Sequence, residues 1–121
     1  MTEKNNLCPL RHLTSIFGGK WKLPIICILS SDNYLPKRYS VIKRKLGDIT
    51  NVMLAKSLNE LEDAKLVHRE QYNEIPPRVE YSLTEQGKET LPFLSQAAQW
   101  AIDDLKRRKV NIFCGECVII D

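Results

Sequence analysis

Residues 50–64 read Thr50-Asn51-Val52-Met53-Leu54-Ala55-Lys56-Ser57-Leu58-Asn59-Glu60-Leu61-Glu62-Asp63-Ala64. Threonine is a capping residue whose side-chain oxygen accepts an amide N–H of the following turn. Leu54, Leu58 and Leu61 recur at i, i+4 and i+7, so the spacing predicts a helix from a cap at Thr50 to about Ala64 with its leucines inward. Asn51, Val52, Ala55, Lys56 and Asn59 then share the outward side. Such a side is either a merely solvated surface or one shaped to meet a partner, and the neighbouring elements decide which.

Upstream, Leu10, Leu13, Ile16 and Phe17 have helical spacing in a segment from Cys8 to Phe17 that stops at Gly18-Gly19. Lys20 to Ser31 is apolar nearly all round, which suits a buried helix, and Pro24 is tolerated in its first turn. After Ser31-Asp32-Asn33 and Pro36, the segment Arg38 to Leu46 sets Tyr39, Ile42 and Leu46 on one side and Lys43, Arg44 and Lys45 largely elsewhere, then ends at Gly47. Downstream, Leu66 to Tyr72 and Val79 to Leu83 alternate loosely around a loop carrying Pro76-Pro77, the pattern of a two-stranded hairpin with a stiff tip. Thr84 is placed to cap a last long helix with Leu91, Leu94, Ala98, Ala101 or Ile102, and Leu105 inward, kinked or interrupted at Pro92.

The chain has 121 residues and a mass of 14.0 kDa, room for one core. Its apolar run Leu23 to Leu29 is too short to span a bilayer, and Met1 to Asn6 carries no apolar export segment, so a soluble cytoplasmic protein with reduced cysteines is expected. The net charge is only +3, yet Lys37, Arg38, Lys43, Arg44, Lys45 and Lys56 against Asp48 give residues 34–57 a charge of +5, leaving −2 for the remainder. That asymmetry fits a surface that meets phosphates, or a solvated helix with surplus lysine. There is no Gly-rich phosphate loop and no HExxH. Neither His12 nor His68 stands beside a nucleophile in a motif, so nothing points to an enzyme.

Three helices, a fourth with a polar outward side, and a hairpin with a rigid tip are the parts of a winged helix-turn-helix, a mainly α fold with a small β-hairpin wing (α+β). The major groove of B-DNA is about 12 Å wide and admits one helix, read by residues near that helix's N-terminus. Asn51 can pair with adenine, Val52 can touch a thymine methyl, and Lys56 can reach guanine or phosphate, while the amides capped by Thr50 favour an anion. Asn59 lies further along the same side. Arg38, Lys43 and Lys45 are candidates for backbone phosphates, and Arg78 at the wing for the flanking minor groove.

On these residues the chain resembles the HxlR-type winged-helix regulators, bacterial transcription factors close to the MarR group. The resemblance spans Cys8 to about Leu105. It is carried by Cys8-Pro9, Gly18-Gly19-Lys20-Trp21, Arg38-Tyr39-Ser40, Leu54 with Leu58-Asn59-Glu60-Leu61-Glu62, and above all the run from Glu74-Ile75-Pro76-Pro77-Arg78 through Thr84-Glu85-Gln86-Gly87. It implies a homodimer, joined through its N- and C-terminal helices, that binds operator DNA with the fourth helix and the wing. It also implies a repressor or autoregulator addressing an inverted repeat, with an oxidant or small molecule as effector. Where family members often carry Arg or Lys, this chain has Val52, Ser57 and Asn59, so a different operator is expected.

Cys8 occupies the position at which several family members resemble thiol sensors, and a thiol at a helix start near Arg11 is placed for such chemistry. The other reading is an inert thiol at the dimer interface. Cys27 reads as core filler. The domain is expected to span residues 1–109, followed by an apolar tail, residues 110–121, holding Cys114-Gly115-Glu116-Cys117, in which Gly-Glu suits the turn of a small hairpin. Two cysteines fall short of a zinc site unless a second subunit supplies the other pair, and no metal or cofactor is expected. A disulfide within that pair, or from Cys8 to Cys114 or Cys117 of a second subunit, is a candidate. A thiol redox or metal-binding protein acting through this tail, and a winged-helix adaptor that binds protein rather than DNA, are the competing readings.

Overall fold

The structure, a computed structural model, describes residues 8–111. Cys114, Cys117 and the tail hairpin lie outside those residues. Helix α1 spans Pro9–Phe17, α2 Lys22–Tyr34, α3 Tyr39–Leu46, α4 Asn51–Asp63, α5 Glu85–Glu89 and α6 Leu91–Arg107, and strands β1, β2 and β3 are Lys37–Arg38, Val67–Tyr72 and Arg78–Leu83. With its helices around one small antiparallel sheet, the chain is a winged helix.

The core forms where the expected apolar stripes converge. Ile25, Ile26 and Leu29 of α2 are fully enclosed with Ile42 of α3 and with Leu54, Leu58 and Leu61 of α4. Tyr81 and Leu83 of β3 close it from the sheet side, and Leu91 and Leu94 from the first turn of α6. Thr50 and Thr84 both cap as expected. The Met53 amide donates to Thr50 Oγ1 at 3.1 Å and the Gly87 amide to Thr84 Oγ1 at 3.0 Å. Thr84 Oγ1 in turn donates to the Lys65 carbonyl, and Thr84 N–H to that of Leu66, which pins the exit of α4 to the start of α5. Gly87 is required there, because a Cβ at this position would collide with the Leu66 carbonyl oxygen.

The structure departs from the sequence expectations in three places. The sheet has three strands in the order β1-β3-β2, because Lys37 and Arg38 pair with Tyr81 and Glu80, so Arg38 precedes α3 instead of opening it. The expected interruption of the last helix is present, but it lies at Thr90, and Pro92 falls in the first turn of α6, where its missing N–H has no helical partner to lose. At the end of α2, regular helix stops at Ser31, and Asp32, Asn33 and Tyr34 follow with φ of 53°, 55° and 64°. Such left-handed residues are costly for a bulky side chain. Lys37 compensates: it is only 6% exposed, and its Nζ donates to the Ser31 and Leu35 carbonyls, each at 2.9 Å. Burial lowers its pKa, against the opposing effect of Asp32. One of the six cations of residues 34–57 therefore serves the interior.

Candidate nucleic-acid interface

Helix α4 presents one side to solvent because its other side is fixed. Leu54, Leu58 and Leu61 are fully buried, while Asn51, Val52, Lys56 and Asn59 are exposed, Val52 to 80%. No acidic residue stands in the first turn, so the partial positive charge of the helix start faces outward uncompensated. Ser57 is buried at 4%, on the inward side with the leucines; it offers no contact from this surface, whatever residue relatives place there.

Asn51 is held from behind. The Tyr39 hydroxyl, at the start of α3, lies 3.1 Å from the Asn51 carbonyl and 3.3 Å from its Oδ1, and donates its single proton between them. Burial, with a smaller contribution from Tyr81, raises the Tyr39 pKa above its ordinary value, which keeps the proton in place. The Asn51 carboxamide is thus restrained before any ligand arrives, with its amide group left to donate. Neither α3 nor α4 alone dictates this link, and the sequence reading missed it.

On α3, Arg44 is exposed and Lys43 and Lys45 are partly buried; Arg38, just before the helix, is exposed. Lys45 and Arg38 line an open depression with Asp32 and Glu80, so that flank carries mixed charge. The three cations of the last turn of α3 also face the negative end of its dipole, a structural role that any helix would reward.

The wing differs most from expectation. Arg78 is committed inside it: Nη1 lies 2.9 Å from Glu80 Oε2, Nη2 lies 2.8 Å from Glu74 Oε2, and the guanidinium sits 4.0 Å from the centre of the Tyr72 ring. Burial works against its charge, but Glu74 and Glu80 outweigh it and raise the pKa further. Arg78 braces the hairpin instead of projecting from it, and the residue that does project is Ile75, fully exposed at the tip. Residues 78 and 80 share one face of a strand, so the Arg78–Glu80 pair was legible in principle.

A cleft of about 270 Å³ opens beside α4, between it and the turn that joins α1 to α2, with Gly19, Lys20, Lys22, Met53, Lys56 and Glu60 in its lining. Lys22 Nζ bonds Glu60 Oε1 at 2.9 Å, and this bond, with the charges of Lys22 and Lys56, holds Glu60 below the ordinary carboxylate range despite some desolvation.

Leu10 of α1 is 70% exposed and Trp100 of α6 66%, with Phe93 also exposed beside Phe17 at a ring separation of 6.2 Å. Beyond Leu94 the apolar residues of α6 are no longer buried within the chain. Cys8 is exposed at the cap position of α1, whereas Cys27 is buried in α2 as expected. Among the described residues no group of three or more His, Cys, Asp or Glu side chains could hold a metal, and no helix is long and apolar enough to cross a membrane. His12 is exposed on α1, and His68 pairs with Glu70 on β2 at 2.9 Å.

A family model described as HxlR-like helix-turn-helix matches residues 16–109. An uncharacterized HTH-type transcriptional regulator of Methanothermobacter thermautotrophicus is 41% identical over 100 residues, covering 83% of this chain and 74% of that protein. Among solved structures, the redox regulator HypR in its oxidised form superposes with a TM-score of 0.72 at 38% identity over 79% of this chain and 96% of the other. The reduced form of the transcriptional regulator YodB from Bacillus subtilis does so with a TM-score of 0.68 at 33% identity over 78% and 91%.

Proposed function

Because the chain belongs to the HxlR-like helix-turn-helix family of transcriptional regulators, we propose that it binds an inverted-repeat operator as a homodimer, with residues 1–109 as the working unit, and acts as a repressor or autoregulator. The observation that carries this is α4: a fully buried leucine stripe fixes a helix whose N-terminal half is exposed, free of acid and uncovered by the rest of the described chain. Val52 and the restrained Asn51 read base edges, Lys56 reads guanine or phosphate, the Thr50-capped amides favour a phosphate, and Asn59 follows along the groove. Arg38, Lys43 and Lys45 meet backbone phosphates, joined by Arg44. Arg78 contributes through the stiffness of the wing, leaving Ile75 as the part that enters or touches the minor groove. Two such helices related by a two-fold axis address half-sites about 34 Å apart.

Selection of genomic fragments by the protein, followed by titration at several salt concentrations, tests this. Asn51→Ala is expected to relax base preference at one position of each half-site, by about 1–3 kcal/mol of discrimination. Lys43→Ala is expected to weaken binding to every duplex and to flatten its salt dependence. Equal scaling of affinity by both would show that the roles are wrongly divided, and absence of any selected fragment would refute DNA binding itself.

Thiol sensing through Cys8 is the effector reading that the exposure of this residue and the similarity to HypR, described as a redox regulator, support best. With a mild thiol oxidant, the wild type is expected to change its DNA affinity and to give a cross-linked dimer on non-reducing gels through Cys114 or Cys117 of the second subunit. Cys8→Ser should do neither. If Cys8→Ser responds as the wild type does, the sensing thiol is another residue.

A further inference from the structure

We propose that the cleft between the Gly18-to-Lys22 turn and α4 is a binding site for a backbone phosphate of duplex DNA, with Lys20 and Lys56 as its cationic ligands. This rests on the DNA-binding reading and adds to it a ligand, Lys20, that lies on neither the helix-turn-helix pair nor the wing.

Four observations carry it. Lys22 and Glu60 neutralise each other across the cleft at 2.9 Å, and the Lys22 side chain is only 12% exposed, so this pair acts as a brace between α2 and α4. The charge left over is that of Lys20 and Lys56, both exposed. Lys20 Nζ sits 4.8 Å from the centre of the Trp21 ring, an interaction that orders an ammonium without cancelling its charge. Gly19 also lines the cleft, with φ of 98°, and nothing lies within 4 Å of where its Cβ would be, so no side chain crowds that part of the turn.

The position matters as much as the charge. Val52 and Lys56 are four residues apart on one side of α4, and Met53 and Lys56 line the cleft. A duplex whose major groove receives the start of α4 runs one of its phosphate backbones along the helix flank, where the cleft opens. A phosphate there accepts from two ammonium groups held by different elements. The turn that supplies Lys20 is also the joint between α2 and α1, the helix that begins at Cys8, so the contact ties the grip on DNA to the placement of α1.

The test is Lys20→Gln, a substitution at an exposed side chain, titrated against a fragment selected by the wild type and an unrelated duplex of equal length across a salt series. The expected result is a loss of about 3- to 10-fold on both duplexes and a slope of log K against log salt that is shallower by about 0.9, one phosphate contact. Lys20→Arg should restore the slope. Lys88→Gln, the same charge change on α5, should leave it unaltered. An unchanged slope in Lys20→Gln, or an equal change in Lys88→Gln, overturns the cleft while leaving DNA binding standing. Wild-type protein that binds no duplex at any salt overturns both.

Discussion

Val52→Glu is expected to leave the fold intact, or slightly more stable, while weakening duplex binding at least about 100-fold. Val52 is the second residue of α4 and is 80% exposed, so its loss costs little packing. A carboxylate in the first turn of a helix interacts favourably with the dipole, by about 0.3–1 kcal/mol, and here it meets no acid already in place. The thermal midpoint should therefore hold or rise. In the groove, the same carboxylate faces two phosphate strands, and like charges juxtaposed at an interface cost several kcal/mol, each 1.4 kcal/mol being about tenfold in affinity. Stability and binding then move in opposite directions, which no structural defect would produce. Thermal unfolding together with anisotropy titration at fixed salt measures both; affinity within about threefold of the wild type would remove α4 from the interface, since a buried like-charge contact costs far more than that.

How much of this was readable without coordinates depended on how local each cause was. The caps at Thr50 and Thr84 and the stripe Leu54, Leu58, Leu61 are set by residues within one or two turns, and the structure has them where the spacing put them. Strand β1 was missed because two residues have no period; only its pairing with Tyr81 and Glu80 creates it. Lys37 looked like surface charge because nothing local announces that the left-handed exit of α2 needs an ammonium on the Ser31 and Leu35 carbonyls. Arg78 and Ser57 are different: the acids at i−4 and i+2 and the i+3 spacing from Leu54 were in the sequence, and both were open to a stricter reading of face and period. Lys20 belongs to the run Gly18-Gly19-Lys20-Trp21, but its place on the same cleft as Lys56 is a product of how α2 lies on α4. The relation of Asn51 to Tyr39, twelve residues away, is of the same kind.

Trp100→Glu is expected to convert a dimer into a monomer and, through that alone, to lower affinity for a two-half-site operator by about 100-fold or more. Trp100 is 66% exposed in the single chain, with Arg107 5.9 Å from its ring centre, and Leu10 and Phe93 add exposed apolar surface on α1 and α6. Large apolar side chains gathered on two terminal helices are better explained by a partner than by solvent. Because the indole is mostly outside the core of its own chain, a charge there should leave the monomer folded while placing a carboxylate in a desolvated interface, where an unpaired charge is strongly unfavourable. A second half-site, once tethered, is engaged at high effective concentration, and losing the tether forfeits a factor of about 10² to 10⁴. The signature is selective: affinity for an isolated half-site should be unchanged, whereas affinity for the inverted repeat falls to the same level, and sedimentation should report one chain per particle. Leu10→Glu should behave alike from the other helix. A Trp100→Glu protein that sediments as a dimer and still prefers the inverted repeat would put the two-fold interface on a different face and would leave the exposed side of α6 in need of another explanation.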